Sequence, residues 1–457
     1  MLASSLALAC WADEPTPLAL RYSERLALPP PDVVEAGEPV SAEVSLPSPR
    51  RITLRRRLRL ETSLAAWSGT RRDDRATIVA VPRIGLDASA TLPAGFSTAL
   101  LADAAREQAH PASDSRTQAQ LREAWVGWKQ GASSARLGWQ IVNWGRTDVL
   151  NPTDNVAARD YTRLVDRDAD QKLGLPMLSL QQRLPGDASL QLLWQPLFRV
   201  SRVPLPAQPG LRYVEDRPQA SPGSVGWRLE STGEQFSGSL SYFRGPAKLP
   251  NLRLQAAPLA RGELGLNHPH TEVFGADGEA VFGAWVLRGE SAWTRVRGSG
   301  GDPLASRESA LDTVIGLERA FGPASAFVQG EWKWLPGWID PRAVPAALRP
   351  LALANASFDD ELHRHRGQLG AGFALNTSDL RWSLSVDAAW APADGDWALR
   401  PRLRWRFDDR LQLLAGGDWF RGPERGVYGR LQPSSALYVG LAGSWGLDAW
   451  LTPSHRD

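Results

Sequence analysis

Between Arg51 and Ala66 the chain reads as two interleaved sets of side chains, broken on the apolar parity at Arg56 and Thr62. Ile52, Leu54, Leu58, Leu60, Leu64 and Ala66 share one parity, and Arg51, Thr53, Arg55, Arg57, Arg59, Glu61 and Ser63 share the other. Successive side chains of a β-strand point to opposite faces, so Arg55, Arg57, Arg59 and Glu61 project together. A row of guanidinium groups cannot be left in an apolar core, so that face requires water while the opposite face requires an apolar neighbour.

The same pattern returns near the other end of the chain, where Leu399, Leu403, Trp405 and Phe407 alternate with Arg400, Arg402, Arg404 and Arg406. Between them, Ala326, Val328, Gly330 and Trp332 interleave with Phe327, Gln329, Glu331 and Lys333, and Trp382, Leu384 and Val386 with Ser383, Ser385 and Asp387. Repeated along a whole chain, this predicts an all-β fold: a transmembrane antiparallel barrel with lipid outside and an aqueous lumen inside. The alternating segments predict about sixteen strands, with about fourteen to eighteen compatible with the even numbers of bacterial barrels. Among them are one segment from Ala135 to Asn143, one from Leu252 to Ala257, and a last one from Ala436 to Trp450.

Connectors such as 185–187, 232–234, 321–323 and 407–410 predict tight periplasmic turns. Residues 145–171, 200–223, 298–308 and 336–364 predict longer external or inward-folded loops. No segment has the helical period and caps of a separate soluble domain.

Mean hydropathy is −0.30, and no run approaches the roughly 18 apolar residues of a membrane helix, so any crossing must use strands. The 20 tryptophans exceed the 6 tyrosines. Trp67, Trp128, Trp194, Trp334, Trp390, Trp419 and Trp450 fall at strand ends, as two interfacial girdles require. A formal charge of +2, dispersed along strands, implies no nucleic-acid partner.

The first residues, Leu2 to Ala12, form an apolar run of small side chains, which predicts a signal peptide over residues 1–12 with a truncated basic start. Cys10 is removed with it or, in the rival reading, lipidated. Residues 13–49 are Pro-rich and acidic, with Asp13, Glu14, Glu24, Asp32, Glu35, Glu38 and Glu43 against Arg21 and Arg25. That composition predicts a flexible periplasmic segment, with a short helix around Leu18 to Leu28 and a leader or docking role. The barrel is then residues 50–457.

The densest motif runs from Arg136-Leu137-Gly138-Trp139-Gln140 through Trp144-Gly145 to Asn151-Pro152-Thr153-Asp154 and Arg159-Asp160-Tyr161. Pro152 fixes φ, and the Asn and Asp side chains satisfy nearby backbone donors, so Asn151 to Asp154 is turn chemistry. Opposed charges at Arg146, Asp148, Asp154, Arg159, Asp160, Arg163 and Asp166 predict a constriction with a transverse field, or ion pairs that pin the loop to the wall. Pinning is the expected role of Arg159 and Asp160.

On the R-x-G-x-Q, W-G and N-P-x-D elements of this stretch, the chain resembles proteobacterial outer-membrane β-barrels of the alginate-export porin type and related uncharacterised families. The resemblance implies an outer-membrane channel of a Gram-negative bacterium, with an inward loop after Trp144.

The arginine rows predict a lumen favouring small anionic or carboxylated solutes, unless carboxylates such as Glu61, Asp387 or Asp418 neutralise them. The alternative is an export or envelope-assembly barrel passing lipid or polysaccharide beside an inner-membrane pump; a soluble secreted β-protein is a third reading. The expected partners are outer-membrane lipid and a diffusing solute. No catalytic group or cofactor is expected. His268/His270 and His363/His365 are paired on one parity but lack a neighbouring carboxylate cluster at ligand spacing, so no metal is expected either. The carboxy terminus departs from the usual pattern, since Trp450 is followed by further residues instead of ending the chain.

Overall fold

The computed structural model describes residues 53–67, 78–110, 116–147, 150–160, 172–202, 212–216, 223–253, 261–297, 309–377, 379, 381–424 and 426–446. The expected signal peptide, the acidic segment with its helix, and Trp450 lie outside them.

Eighteen strands form one sheet. They are β1 Thr53–Trp67, β2 Ile78–Thr91, β3 Phe96–His110, β4 Arg116–Gln130, β5 Ser133–Gln140 and β6 Leu175–Leu184; then β7 Ala188–Gln195, β8 Ser224–Thr232, β9 Phe236–Pro246, β10 His270–Phe282, β11 Trp285–Val296 and β12 Ala310–Phe321. The last six are β13 Ala324–Trp334, β14 His365–Asn376, β15 Trp382–Ala391, β16 Asp396–Arg406, β17 Leu411–Arg421 and β18 Ala436–Gly446. Each pairs antiparallel with the next, and β1 pairs with β18 from Arg57↔Gly446 to Trp67↔Ala436. The sheet is therefore a closed barrel, with the strand number at the upper end of the expected range.

Alternation sets the two faces of the wall. Leu54, Leu60 and Leu64 are 46%, 42% and 50% exposed on the outside of β1, whereas Ala65 is fully buried within. Short turns close one end. Gly322, between β12 and β13, has φ +62°, a left-handed conformation open to glycine without steric cost. The long connectors lie at the other end, together with the tight 392–395 turn.

Aromatic side chains mark both rims. Trp194, Trp390 and Trp419 are exposed at the long-connector end, and Trp332 stacks on Trp334 with centroids 6.4 Å apart. At the short-turn end Phe236, Phe282, Phe321 and Phe407 are exposed and Trp382 stacks on Trp405 at 5.0 Å, so that rim uses more phenylalanine than the tryptophan pattern suggested.

Three expectations need correction. The segment expected to run to Asn143 leaves the sheet after Gln140, because residues 141–147 turn into the lumen. The segment at Leu252 is no barrel strand: Asn251–Arg253 joins Glu263–Asn267 and Arg212–Asp216 in a separate three-stranded sheet. Residues 336–364 contain a helix, α1 (Arg349–Asp359), which admits Pro350 in its first turn, where no intrahelical N–H is needed, and ends at left-handed Asp360.

Candidate functional site

The connector from β5 to β6 enters the lumen and crosses it. Trp144 is 2% exposed, sets its indole edge-on to Phe243 with centroids 6.2 Å apart, and donates from Nε1 to Gln191 Oε1 at 2.9 Å. A Cβ on Gly226 would lie 2.8 Å from the indole ring, so a glycine there makes room for it. At Gly145, φ is +90°, and Asn151 Nδ2 donates to Trp144 O at 3.0 Å. Asp154 N donates to Asn151 O at 3.2 Å, closing the expected turn.

Inward carboxylates of the wall hold this segment. Arg146 donates from Nε to Asp277 Oδ1 at 2.7 Å, and its Nη2 bonds Glu230. The backbone N–H groups of Arg146 and Thr147 both point at Glu290 Oε1, and Thr153 Oγ1 donates to Glu290 Oε2 at 2.9 Å. Leu150 then reaches the far wall, buried with Val314, Phe327, Ala389, Ala398 and Tyr428, while Gln329 Nε2 donates to its carbonyl at 3.2 Å. These residues belong to β12, β13, β15, β16 and the β17–β18 connector. In the strand order that wall lies opposite β5.

On its return the segment builds an apolar core against the barrel's inner face. Val156, Ala158 and Leu173 pack with Leu175, Met177, Leu193, Phe243, Val273 and Ala292 from β6, β7, β9, β10 and β11. Asp154 accepts from Arg159 Nη2 at 2.8 Å and lies 3.1 Å from Lys172 Nζ. Burial alone would push its carboxyl up, but the Lys172 and Arg159 charges outweigh that and hold it below the ordinary 3.8. Asp160 pairs with Arg202 at 3.0 Å, and Arg202 N donates to Arg159 O at 2.8 Å, tying the segment to the β7–β8 connector.

Of the predicted constriction residues, Arg146 and Asn151 lie in the crossing limb, Asp154 at the return, and Arg159 and Asp160 at the mouth. Asp148, Arg163 and Asp166 lie outside the described residues.

The two arginine rows face the lumen from β1 and β16, separated by β17 and β18. Asp418 accepts from Arg400 Nε at 2.7 Å and from Arg402 Nη2 at 2.8 Å, and Arg402 lies 5.2 Å above the Tyr438 ring. Glu61 faces Arg83 at 3.6 Å. Arg57, Arg59, Glu61, Asp87, Arg122 and Arg406 line a cavity of about 800 Å³ reaching the 408–410 turn. Arg55 lies one step beyond Arg57 on the same face, and Arg404 sits between Arg402 and Arg406. Arg57, Arg59 and Arg406 thus share one cavity, while Arg400 and Arg402 share one carboxylate.

Glu230, Asp277 and Glu290, the groups that anchor the crossing segment, were not singled out from the sequence. Each sits at a polar-parity position of its strand, but parity does not say which carboxylate meets a loop. The histidine pairs separate: His268 Nδ1 lies 2.8 Å from Ala247 O inside the loop layer, while His270 is on the barrel rim. His363 faces Asp394 at 3.3 Å, and His365 stacks on Trp332.

A family model described as "Protein of unknown function (DUF1302)" matches residues 102–392, more than half of the chain and most of the barrel wall. The chain belongs to this family. No curated protein matches it in sequence. Among solved structures, this DUF1302 member is similar to the outer membrane protein OpdK of Pseudomonas aeruginosa, with a TM-score of 0.52 at 11% identity over 86% of this chain and 99% of that one. OccAB1 of Acinetobacter baumannii gives 0.51 at 9% identity over 86% and 97%. A structure of OpdK with vanillate gives 0.50 at 12% identity over 86% and 98%. These likenesses establish the outer-membrane barrel fold.

Proposed function

We propose that the protein is an outer-membrane channel of a Gram-negative bacterium, passing small, anionic or carboxylated solutes by passive diffusion. The observation that carries this is the segment after Gln140, which is fixed to both walls and fills the β6–β11 side with its own apolar core. Solutes are then directed along the opposite, arginine-bearing wall. Guanidinium groups pair with carboxylates bidentately and remain charged at any physiological pH. Because Asp418 and Glu61 balance part of the row, the wall attracts anions without trapping them, as conduction requires. OpdK, a barrel of similar fold, has been solved with vanillate, a carboxylate.

A lumen crossed by a pinned segment favours small solutes over a lipid or polysaccharide conduit, and the reading requires neither a pump nor catalysis. The test is single-channel recording from the refolded protein in a planar bilayer under a salt gradient. Discrete steps with an anion-leaning reversal potential are expected; a folded, inserted barrel that conducts nothing would overturn the proposal.

A further inference from the structure

On the lipid-facing side of β9, β10 and β11 the register stacks two unlike rows. Tyr242, Phe274 and Trp293 lie side by side across the three strands, and one pleat nearer the long connectors Arg244, Glu272 and Arg295 do the same. Arg297 extends the charged row and donates from Nη2 to Glu272 Oε1 at 2.7 Å. Arg295 and Arg244 approach that carboxylate only to 3.8 and 3.9 Å, beyond hydrogen-bond reach. Glu272 is 12% exposed at its side chain, whereas Arg244, Arg295 and Arg297 are 45%, 67% and 53% exposed. One carboxylate thus gathers three guanidinium groups and leaves most of their donors facing outward.

An arginine on the lipid side of a barrel is costly at mid-membrane and tolerated at head-group depth. The aromatic row beneath marks that depth, and below it Leu240 is 56% exposed on the apolar belt. Long connectors place this end outside the cell, facing the phosphorylated glycolipid of the outer leaflet.

We propose that this rim binds the phosphate of that glycolipid, with the acyl chains lying over Tyr242, Phe274 and Trp293. Guanidinium forks match phosphate oxygens bidentately. The two rows fit an amphiphile: a free phosphate ion would use only the upper one. The proposal shares with the channel reading only the outer-membrane placement, so the bilayer result does not decide it.

Native mass spectrometry of the refolded full chain, titrated with bisphosphorylated lipid A, the same lipid dephosphorylated, and inorganic phosphate, tests it. Removal of the phosphates is expected to weaken binding by about tenfold or more, corresponding to one charge-assisted contact. Arg244→Gln/Arg295→Gln/Arg297→Gln is expected to do the same with heat-modifiable migration unchanged. Arg421→Gln, an outward arginine on β17, should leave binding intact. Should the triple variant fail to fold, Arg295→Gln alone, at an exposed side chain with no hydrogen bond to Glu272, should still weaken binding by about threefold. Equal affinity for the dephosphorylated lipid, unchanged binding in the folded variants, or inorganic phosphate binding as tightly as lipid A would overturn the proposal.

Discussion

Arg146 meets three wall carboxylates, through its guanidinium at Asp277 and Glu230 and through its backbone at Glu290. Asp277 is fully buried at its side chain, so removing Arg146 leaves it with Arg228 as its remaining guanidinium partner, at 3.1 Å. Because Arg228 still compensates Asp277, the cost stays below the roughly 3 kcal/mol of a buried pair broken outright. Arg146→Ala should therefore lower the urea midpoint of the refolded barrel and raise open-channel noise in the same preparation. Lys248 presents the opposite balance. Its ammonium is buried against Phe198 and Phe243, donates to Gln195 Oε1 at 2.8 Å, and is pushed down by burial to about 7. The unfolded chain keeps that proton up to about 10.4, so it binds more protons than the folded chain between those two values. Stability should then rise with pH across that window, with the burial penalty fully present below 7. Lys248→Met should melt higher than the parent at pH 6, and the difference should shrink as pH approaches 10; a pH-independent difference would contradict the assignment.

At the scale of the element, the β5–β6 connector behaves as a strut with two footings. Its far footing is Leu150, seated with Val314 and Tyr428. Leu150→Asp places a carboxylate in that apolar site, at a cost of several kcal/mol unless the tip withdraws. Withdrawal should increase single-channel conductance while strand content by circular dichroism stays constant. The near footing includes Asp154, whose carboxyl is held below 3.8 by Lys172 and Arg159. A depressed acid contributes fully above its unfolded value and loses that contribution as pH falls through its folded one. Acidification below about 3.8 should therefore loosen the segment, with conductance fluctuations growing there and absent at neutral pH. The turn itself was legible beforehand, because Asn151-Pro152-Thr153-Asp154 encodes its geometry within four neighbouring residues. Its footings were not: Arg146 and Asp277 are 131 residues apart, and Leu150 and Gln329 are 179 apart.

For the whole molecule, closure of β1 on β18 brings the first and last strands together, with only two strands between the arginine rows. The return of the crossing segment packs against β6 to β11, and only its tip reaches β12 to β16, so the loop occupies chiefly the half of the lumen away from β1. Replacing Arg55, Arg57 and Arg59 with Glu should move the reversal potential toward cations with the barrel still heat-modifiable. An unchanged reversal potential would remove the β1 row from the conduction path.

The sequence by itself determined the character of the wall: an all-β barrel and the face each strand residue takes follow from a period-two alternation that each strand carries locally, whereas the same signal at Leu252 belongs to a second sheet. It also showed that the arginine rows must meet water. Only the tertiary structure decided that residues 141–147 leave the sheet early, that Glu230, Asp277 and Glu290 receive them, and that Arg400 and Arg402 share Asp418. Those outcomes depend on surfaces brought together by closure from distant parts of the chain, and alternation within a strand carries no information about what stands across the lumen.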